Sequence, residues 1–289
     1  MNSKIYVLIT PAKNEEEFIG KTIESVLAQT IRPHRWIIVS DGSTDSTDAI
    51  VSNYASQYSF IAFLNTSSQG LRNFGSKVNA FNAGYKELKN TRYDFIGNLD
   101  ADVTFEPRYF ENILNSFSNN PGLGMAGGII QELVSGKYVD QNISLNSVAG
   151  AVQLFRRECF EEIGGYIPIR TGGIDAAAEI VARMHGWAVR TFPEYKVLHH
   201  RRVAGSTGNI LISRFRQGIM YYALGYHPVF QTIRCLYKVT DKPYFGGSIF
   251  LLSGYFWACL RKQPKSIPAN AITYLREEQM KRLRSVLCR

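Results

Sequence analysis

The sequence predicts an α/β protein with a mainly parallel sheet flanked by helices. Short apolar runs, which are typical of buried strands, alternate with longer stretches of helical period over the first hundred residues. Acidic and amide side chains cluster directly after three of these apolar runs. With 45% apolar side chains in 289 residues, the chain can bury a large core.

Apolar runs with the length of single strands predict the strands in order. They cover residues 5–9, 36–40, 60–64, 95–99 and 150–155. Glycine and proline punctuate residues 119–128, which predicts a loop there.

Helices are predicted between these strands. After the first strand, apolar residues recur at helical spacing over residues 18–27, with Asn14 as the expected N-cap and three glutamates in the first turn. Further helices are expected at residues 46–58, 74–88, 107–117 and 176–185.

Charge divides the chain unevenly. Residues 1–195 hold 17 lysines and arginines against 21 acidic residues, while residues 196–289 hold 16 against 3. A basic block of this kind suits nucleic acid or anionic lipid, and its aromatic, uncharged centre favours lipid. We therefore expect an anionic membrane surface as partner and no nucleic acid.

The centre of the basic block is residues 243–260, which carry no charge and are bracketed by Lys242 and Arg261. A spanning helix needs about 20 residues, so spanning, re-entrant, interfacial and buried arrangements all stay open. Interface association is the preferred interpretation, and a helical subdomain or dimer contact is the alternative. We place the domain boundary near residue 205, which gives domains 1–205 and 206–289.

Two further features indicate the compartment. The apolar stretch at residues 5–9 is too short for the core of a signal peptide, which predicts a cytoplasmic protein. Four cysteines lie far apart without CxxC spacing, which argues against a zinc site or a disulfide framework. Together with the basic block, this predicts a peripheral or monotopic protein at the cytoplasmic face of a membrane.

Polar segments follow three predicted strands, at residues 10–15, 40–45 and 98–102. In open α/β sheets, ligands bind beyond the carboxyl ends of the strands. Asp100 and Asp102 supply carboxylates there, and Mg²⁺ or Mn²⁺ prefers such oxygen ligands together with phosphate oxygens. Taken alone, two aspartates in a turn are more often caps or solvated loop residues.

The segments TPAKNEE, VSDGSTDST, GxxxNAFNAGY and NLDAD occur in this order, at residues 10–16, 39–47, 75–85 and 98–102. Together they resemble the family 2 glycosyltransferases, over roughly residues 4–205. The resemblance implies a GT-A fold, a Rossmann-like sheet flanked by helices, and here a C-terminal helical region associated with membrane.

The resemblance also implies site residues. It assigns binding of the nucleotide sugar to Pro11, Ala12, Asn14, Glu15, Asp41, Asp100 and Ala101. Asp102 is implied as the direct ligand of Mn²⁺ or Mg²⁺, with Asp100 at the ribose or the ion. Lys77 and Arg72 lie on the segment before this motif and could neutralise the diphosphate, although each could equally be a solvated cation.

An acidic residue that opens a helix after a glycine-rich turn is the next landmark, and Asp175 matches it as catalytic base. Ile174 stands where the family usually has glutamate, which is a departure from the pattern. A role as helix N-cap is the alternative for Asp175. Glu179 is the second choice as base, because with Arg183 it reads more simply as an i,i+4 ion pair.

His199 and His200 follow the last apolar segment, where related enzymes supply a histidine near the metal or the phosphates. Strand alternation allows only one of them to face inward. His199 is the preferred metal ligand, and a partly exposed basic turn is the alternative.

The function implied is inverting transfer of a sugar from a nucleoside-diphosphate sugar to a hydroxyl of a glycan or lipid-linked acceptor. UDP and GDP carriers, and the oligomeric state, stay open. A nucleotidyltransferase would need a glycine-rich basic loop after its first strand, which is absent. An inactive sugar-nucleotide-binding module at a membrane surface is the remaining alternative, and Ile174 is the feature that favours it.

Overall fold

A computed structural model describes residues 4–66, 74–134, 136–201, 210–237 and 244–287. The chain forms two compact units. The sheet unit comprises Met1–Pro168 and Ile174–Arg202, and the helical unit comprises Ile169–Gly173 and Val203–Arg289. The boundary expected near residue 205 falls outside the described residues and stays a prediction.

Strands and helices alternate through the sheet unit. Its strands are β1 (Tyr6–Ala12), β2 (Arg35–Ser40), β3 (Ile61–Asn65), β4 (Phe95–Leu99), β5 (Val103–Phe105), β6 (Leu123–Val134), β7 (Lys137–Asp140), β8 (Val152–Arg156) and β9 (Ala188–His199). Its helices are α1 (Ile19–Leu27), α2 (Thr47–Gln57), α3 (Phe74–Glu87), α4 (Tyr109–Asn119), α5 (Arg157–Glu162) and α6 (Ile174–Met184). The predicted α/β class is confirmed.

Within the described residues, the strands form one sheet in the order β3-β2-β1-β4-β8-β6-β9-β5, with β7 beside β6. The first four strands are parallel. Strand β8 enters antiparallel between β4 and β6, while β9 runs parallel to β6 and antiparallel to β5. The parallel half brings the carboxyl ends of β1, β2 and β4 to one edge of the sheet.

Strand β6 corrects the loop expected at residues 119–128, because it begins at Leu123. The glycines of β6 do not break the strand. Because they lack a side chain, neighbouring segments can pack closely against them. A Cβ at Gly128 would lie 2.1 Å from the Tyr195 carbonyl oxygen, and one at Gly127 would lie 2.5 Å from Val148. The register with β9 shifts between Gly128 and Ile129, so a β-bulge accompanies this close approach.

Helix α1 corrects the expectation that Asn14 is an N-cap. The helix begins at Ile19, with Phe18 at the N-cap position and no acidic residue in its first turn. Asn14 has φ 54°, in the left-handed region that asparagine tolerates better than most residues. The segment from Asn14 to the helix is therefore a turn, which leaves its polar groups at the sheet edge.

Strands β1 and β2 form the centre of the core. Tyr6, Leu8 and Trp36 are fully buried, and burying side chains of this size contributes about 2 kcal/mol each. The Trp36 indole donates a hydrogen bond to the Thr10 hydroxyl at 2.9 Å, so the one polar group of that ring is satisfied inside the core. Packing and this hydrogen bond therefore hold β1, the strand that leads to the polar edge, in place within the core.

The helical unit contains α7 (Ile210–Ala223), α8 (Pro228–Tyr237), α9 (Tyr244–Leu260) and α10 (Ala269–Leu287), which confirms the expected helical character of this region. Helices α7 and α9 touch at two glycines. A Cβ at Gly218 would lie 2.0 Å from the Leu251 carbonyl oxygen, and one at Gly254 would lie 2.0 Å from that of Phe215. Among the described residues, no helix has both the length and the apolar character needed to cross a membrane.

We expect Gly254→Ala to lower the free energy of unfolding by roughly 1–3 kcal/mol, because the new methyl group would force the two helix backbones apart. Gly246→Ala is the matched control in the same helix. Among the described residues, its Cβ would meet Leu211 alone, at 3.5 Å, which is an ordinary contact, so this variant should be neutral or stabilising. Chemical denaturation measures both, and equal stability of the two variants would contradict the close packing.

Candidate functional site

The loops after β1 and β2 are joined by hydrogen bonds between side chains and backbone. The Asn14 side-chain oxygen accepts the Thr44 N–H at 2.8 Å, and the Glu15 N–H donates to the Thr47 hydroxyl at 2.7 Å. These bonds use polar atoms of the VSDGSTDST segment to support the TPAKNEE segment. Asn14 and Glu15 therefore lie beside the β2 loop, at the edge where a ligand would bind.

Pro11 and Ala12, the last residues of β1, lie against the end of β2. The Asp41 N–H donates to the Ala12 carbonyl at 2.9 Å. The Asp41 carboxylate is 3.8 Å from the Lys13 ammonium and is mostly buried. The structure thus brings together Pro11, Ala12, Asn14, Glu15 and Asp41, which were predicted to contact the nucleotide.

Asp100 follows β4 and is paired with Lys77 of α3. The Lys77 ammonium lies 2.5 Å from Asp100 Oδ1, and the Asn98 amide approaches the same oxygen at 3.5 Å. Burial raises the pKa of Asp100, with a further increase from Asp102 that Lys77 opposes. Burial works against the charged form of Lys77, but the carboxylates of Asp100, Asp175 and Asp102 hold its pKa above the usual value.

Asp102 lies two residues further on, against the end of β9. Its Oδ1 is 3.3 Å from His199 Nε2, and its Oδ2 is 3.7 Å from Arg201 Nε. Burial alone would raise the pKa of Asp102, but His199 and Arg201 lower it. Burial likewise opposes protonation of His199, and the neighbouring Asp102 raises the pKa of that imidazole.

The two histidines have different partners. His200 Nε2 is 2.9 Å from the Thr104 hydroxyl, and its ring stacks on Phe18 at 5.8 Å. Burial lowers the pKa of His200. The structure therefore places His199, and not His200, beside the Asp102 carboxylate.

Arg201 connects the loop after β1 with the segment after β4, because it contacts both Glu15 and Asp102. Its Nη2 lies 2.5 Å from Glu15 Oε2 and donates to the Asn14 carbonyl at 3.3 Å. The sequence made Arg201 a candidate for phosphate contact, or part of a partly exposed basic turn, after the two histidines. It did not indicate that this side chain faces Asp102 and Glu15. The available signal was its position two residues after His199, since side chains two apart on an extended chain share a face.

Asp175 lies in the first turn of α6 and packs against Gly150. A Cβ at Gly150 would be 3.2 Å from Asp175 Oδ2, so a larger residue there would push the Asp175 side chain by a few tenths of an ångström. The Gly150 carbonyl accepts a hydrogen bond from the Asn98 amide at 2.7 Å. Asn98 therefore links the segment beneath Asp175 to the strand that leads to Asp100.

Glu179, one turn after Asp175, is buried and holds the same segment. Its carboxylate accepts the Val148 N–H at 2.7 Å and the Ser147 hydroxyl at 2.9 Å, and Arg183 lies 3.5 Å away. Burial raises the pKa of Glu179 to about 7. These contacts make Glu179 a support for residues 147–150.

Arg72 and Ala101 are the remaining residues that were predicted to bind the nucleotide sugar. Arg72 lies outside the described residues. Ala101 is buried between the two aspartates, and its carbonyl accepts the Thr22 hydroxyl at 2.8 Å. That bond fixes the backbone between Asp100 and Asp102, and thereby the directions of both carboxylates.

The side chains near Asp102 offer oxygen and nitrogen atoms of the kinds that bind Mn²⁺ or Mg²⁺. Among the described residues, no three His, Cys, Asp or Glu side chains are grouped to hold an ion. Asp102 and His199 offer two donor atoms 3.3 Å apart, near the roughly 3 Å between adjacent ligands around an ion with 2.0–2.1 Å bonds. His199 Nδ1 is buried without a hydrogen-bond partner in this part of the chain. The pair fits a site that phosphate oxygens would complete.

Glu179 should make stability depend on pH. Its pKa is about 7 in the folded chain against an ordinary 4.5, so the unfolded chain gives up this proton at lower pH. The free energy of unfolding should therefore fall between about pH 4.5 and pH 7, by up to about 3 kcal/mol, and level off above.

Glu179→Gln should flatten this dependence in denaturation series collected from pH 5 to 8. Glu87→Gln, at an exposed position of α3, is the matched control and should retain the wild-type slope. A slope that persists in Glu179→Gln would assign the titration to another group.

The comparisons with known proteins agree with this geometry. The model of Glycosyl transferase family 2 matches residues 7–172. A glucosyl-dolichyl phosphate glucuronosyltransferase of Haloferax volcanii is 24% identical over 179 residues, 55% of this chain and 54% of that protein. A poly-beta-1,6-N-acetyl-D-glucosamine synthase of Staphylococcus epidermidis is 25% identical over 170 residues, 52% of this chain and 39% of that protein. The chain thus spans about half the length of the first relative and less of the second.

Solved structures share the fold at low identity. The mannosyltransferase PcManGT from Pyrobaculum calidifontis, in complex with GDP-Man and Mn²⁺, has a TM-score of 0.58 at 14% identity, covering 98% of this chain and 76% of its own. S. aureus TarS in complex with UDP-GlcNAc has a TM-score of 0.57 at 14% identity, covering 87% and 71%. The expected GT-A fold is confirmed, and with more than half of its length matched by the family model, the chain belongs to glycosyl transferase family 2.

Proposed function

We propose that the chain is an inverting glycosyltransferase, which moves a sugar from a nucleoside-diphosphate sugar to an acceptor hydroxyl. The observation that carries the proposal is the grouping at one sheet edge of Asp100, paired with Lys77, and Asp102, beside His199 and Arg201. The two aspartates that end the β4 segment suit the charged part of a donor. Asp175 comes from a separate helix, as a base on the other side of the reacting carbon requires.

The nucleotide of the donor is proposed to bind along the ends of β1 and β2. Asp41 would accept a hydrogen bond from the base, with Pro11, Ala12, Asn14 and Glu15 around it and Ala101 beside the ribose. Lys77 would give up part of its contact with Asp100 to reach the diphosphate. Arg72, which is outside the described residues, is proposed for the same diphosphate.

Asp102, with Asp100 and His199, is proposed to hold Mn²⁺ or Mg²⁺ next to the diphosphate. When bound there, a divalent cation would act as a Lewis acid for the leaving group. Support comes from the spacing of Asp102 and His199 and from the Mn²⁺ named with the structural neighbour PcManGT. Arg201 would keep the Asp102 carboxylate ionised, which is the form that binds a cation.

In the proposed reaction, Asp175 takes the proton of the acceptor hydroxyl as that oxygen attacks the anomeric carbon. The new carbon–oxygen bond forms as the bond from that carbon to the diphosphate oxygen breaks. The electron pair leaves with the nucleoside diphosphate, whose charge Lys77 partly offsets. Attack from the side opposite the leaving group inverts the anomeric configuration.

A glycan or lipid-linked acceptor at the cytoplasmic face of an anionic membrane is the proposed setting. The relatives are named as enzymes of a dolichyl phosphate glycan and of an N-acetylglucosamine polymer. The basic, aromatic character of residues 206–289 supports a position at the lipid surface. An inactive sugar-nucleotide-binding module at the same surface is the second candidate, favoured by Ile174 at the place where the family usually has glutamate.

We expect Asp175→Asn to lower kcat by roughly 10²–10⁴-fold, because the amide cannot accept the acceptor's proton. Donor affinity should stay near the wild-type value in calorimetry with UDP and GDP sugars. Asp140→Asn, at an exposed pair with Lys196, is the matched control and should keep full turnover. Wild-type protein that binds donor but neither transfers nor hydrolyses it would favour the inactive module.

Asp102→Asn should remove most of the effect of Mn²⁺ on donor binding, since a neutral amide is a weaker ligand than a carboxylate. We expect the donor Kd measured with Mn²⁺ to rise on the order of 10–100-fold and the Kd measured without it to change little. The same Asp140→Asn control should keep the full Mn²⁺ effect. Unchanged Mn²⁺ dependence in Asp102→Asn would place the ion elsewhere.

A further inference from the structure

Helix α9 exposes an apolar face to solvent. Phe245, Ile249 and Leu260 are 68%, 59% and 83% exposed, and Phe250, Phe256 and Trp257 are 39–43% exposed. At 100° per residue these six side chains fall on one half of the helix surface. We call this half, made by Phe245, Ile249, Phe250, Phe256, Trp257 and Leu260, the α9 outer face.

The opposite half of α9 is already packed. Leu251 and Tyr255 are buried in a cluster with Tyr221 of α7 and Cys235 of α8, and Gly254 lies against the α7 backbone. A helix that is apolar on all sides is normally covered on all sides. Contiguous exposed apolar surface of this kind marks a contact site. We therefore expect the α9 outer face to be a binding surface.

Charge identifies the occupant. Between Glu194 and Asp241, and again between Asp241 and Glu277, the sequence has no acidic residue, so α7, α8 and α9 carry none. Arg216 is exposed on α7, and Arg261 and Lys262 are exposed directly after α9. An apolar face beside cations, with no carboxylate on these helices, matches an anionic bilayer, where aromatic and aliphatic side chains enter the acyl boundary and cations meet headgroups.

A second copy of the chain matches this surface less well. In a second copy, α7, α8 and α9 offer no acidic residue to pair with the exposed Arg216, Arg261 and Lys262. Like charges in a contact disfavour association. The balance of charge thus favours lipid phosphates over self-association.

We propose that the α9 outer face is the membrane-docking surface of this protein, with α9 lying along the interface and its packed half turned to α7 and α8. This inference deepens the membrane-surface part of the proposed function and rests on it. It assigns the contact to one helix face, and it assigns Trp257 to the depth of the headgroups, where tryptophan is enriched.

The test uses the full chain and sedimentation with vesicles of phosphatidylcholine, alone or with 30% phosphatidylglycerol. Ile249→Glu with Phe256→Glu should weaken binding to the anionic vesicles at least about tenfold, because each carboxylate would enter apolar lipid facing anionic headgroups. Tyr138→Glu with Val139→Glu, on the exposed strand β7, is the matched control and should bind like wild type. Those four side chains are 59%, 43%, 41% and 50% exposed, respectively.

Trp257 gives a second readout. Its emission should shift to the blue with anionic vesicles, and Trp257→Phe should lose that shift while the vesicles still sediment the protein. Equal loss in the α9 and β7 variants, or binding equal to wild type in the α9 variant, would overturn the proposal.

Light scattering separates the remaining outcomes. A wild-type dimer that the α9 variant converts to monomer, without vesicle binding, would assign the face to a second copy and overturn lipid docking. Donor hydrolysis without vesicles should be the same in wild type and the α9 variant. If neither protein hydrolyses the donor, the proposed transferase activity is contradicted. The vesicle-binding result would still test the docking surface independently.

Discussion

The site depends on balancing carboxylates gathered at one sheet edge with a small number of cations. Asp100 and Asp102 stand two residues apart, and burial disfavours the charge of both. Lys77 pairs with the first, while His199 and Arg201 approach the second. Without these cations, one of the two carboxylates would take up a proton, because adjacent buried charges of like sign cannot both persist.

The same balance separates the two aspartates chemically. The pKa of Asp100 lies above its ordinary value and that of Asp102 below it. The partners of Asp102 thus favour its ionised form, while Lys77 offsets only part of the effect of burial on Asp100. Lys77 presents a single ammonium to Asp100, whereas Arg201 contacts both Glu15 and Asp102 through its planar guanidinium.

Much of the parallel half of the sheet could be predicted from sequence, because β1, β2 and β4 are buried on both faces and appear as plain apolar runs. Only the end of β9, at residues 197–199, was treated as a strand, because burial is irregular along the rest of its length. Strand β6 was missed because its glycines, which admit Tyr195 and Val148, resemble those of a loop. Secondary-structure propensity has one value for glycine. It cannot distinguish a glycine that bends the chain from one that makes room for another segment.

Some residues of the site could likewise be predicted from sequence, while other contacts could not. Residues directly after strands, such as Asp41, Asp100 and Asp102, were predictable because the carboxyl ends of parallel strands meet at one edge. The contact of Arg201 with Glu15 joins residues 186 positions apart, and the support of residues 147–150 by Glu179 depends on burial. Alternation along the chain could place Arg201 on the same face as His199, but no periodic or local pattern indicates Glu15 as its partner or the contacts that Glu179 makes.

The packing of Asp175 on Gly150 carries a consequence for variation in this chain. A methyl group at position 150 would lie 3.2–3.4 Å from atoms of the Asp175 side chain, so that side chain would have to move by a few tenths of an ångström. A change at position 150 would thus be felt by the aspartate, although 25 residues separate the two in the chain. The resting place of this acidic group is set in part by a residue that has no side chain of its own.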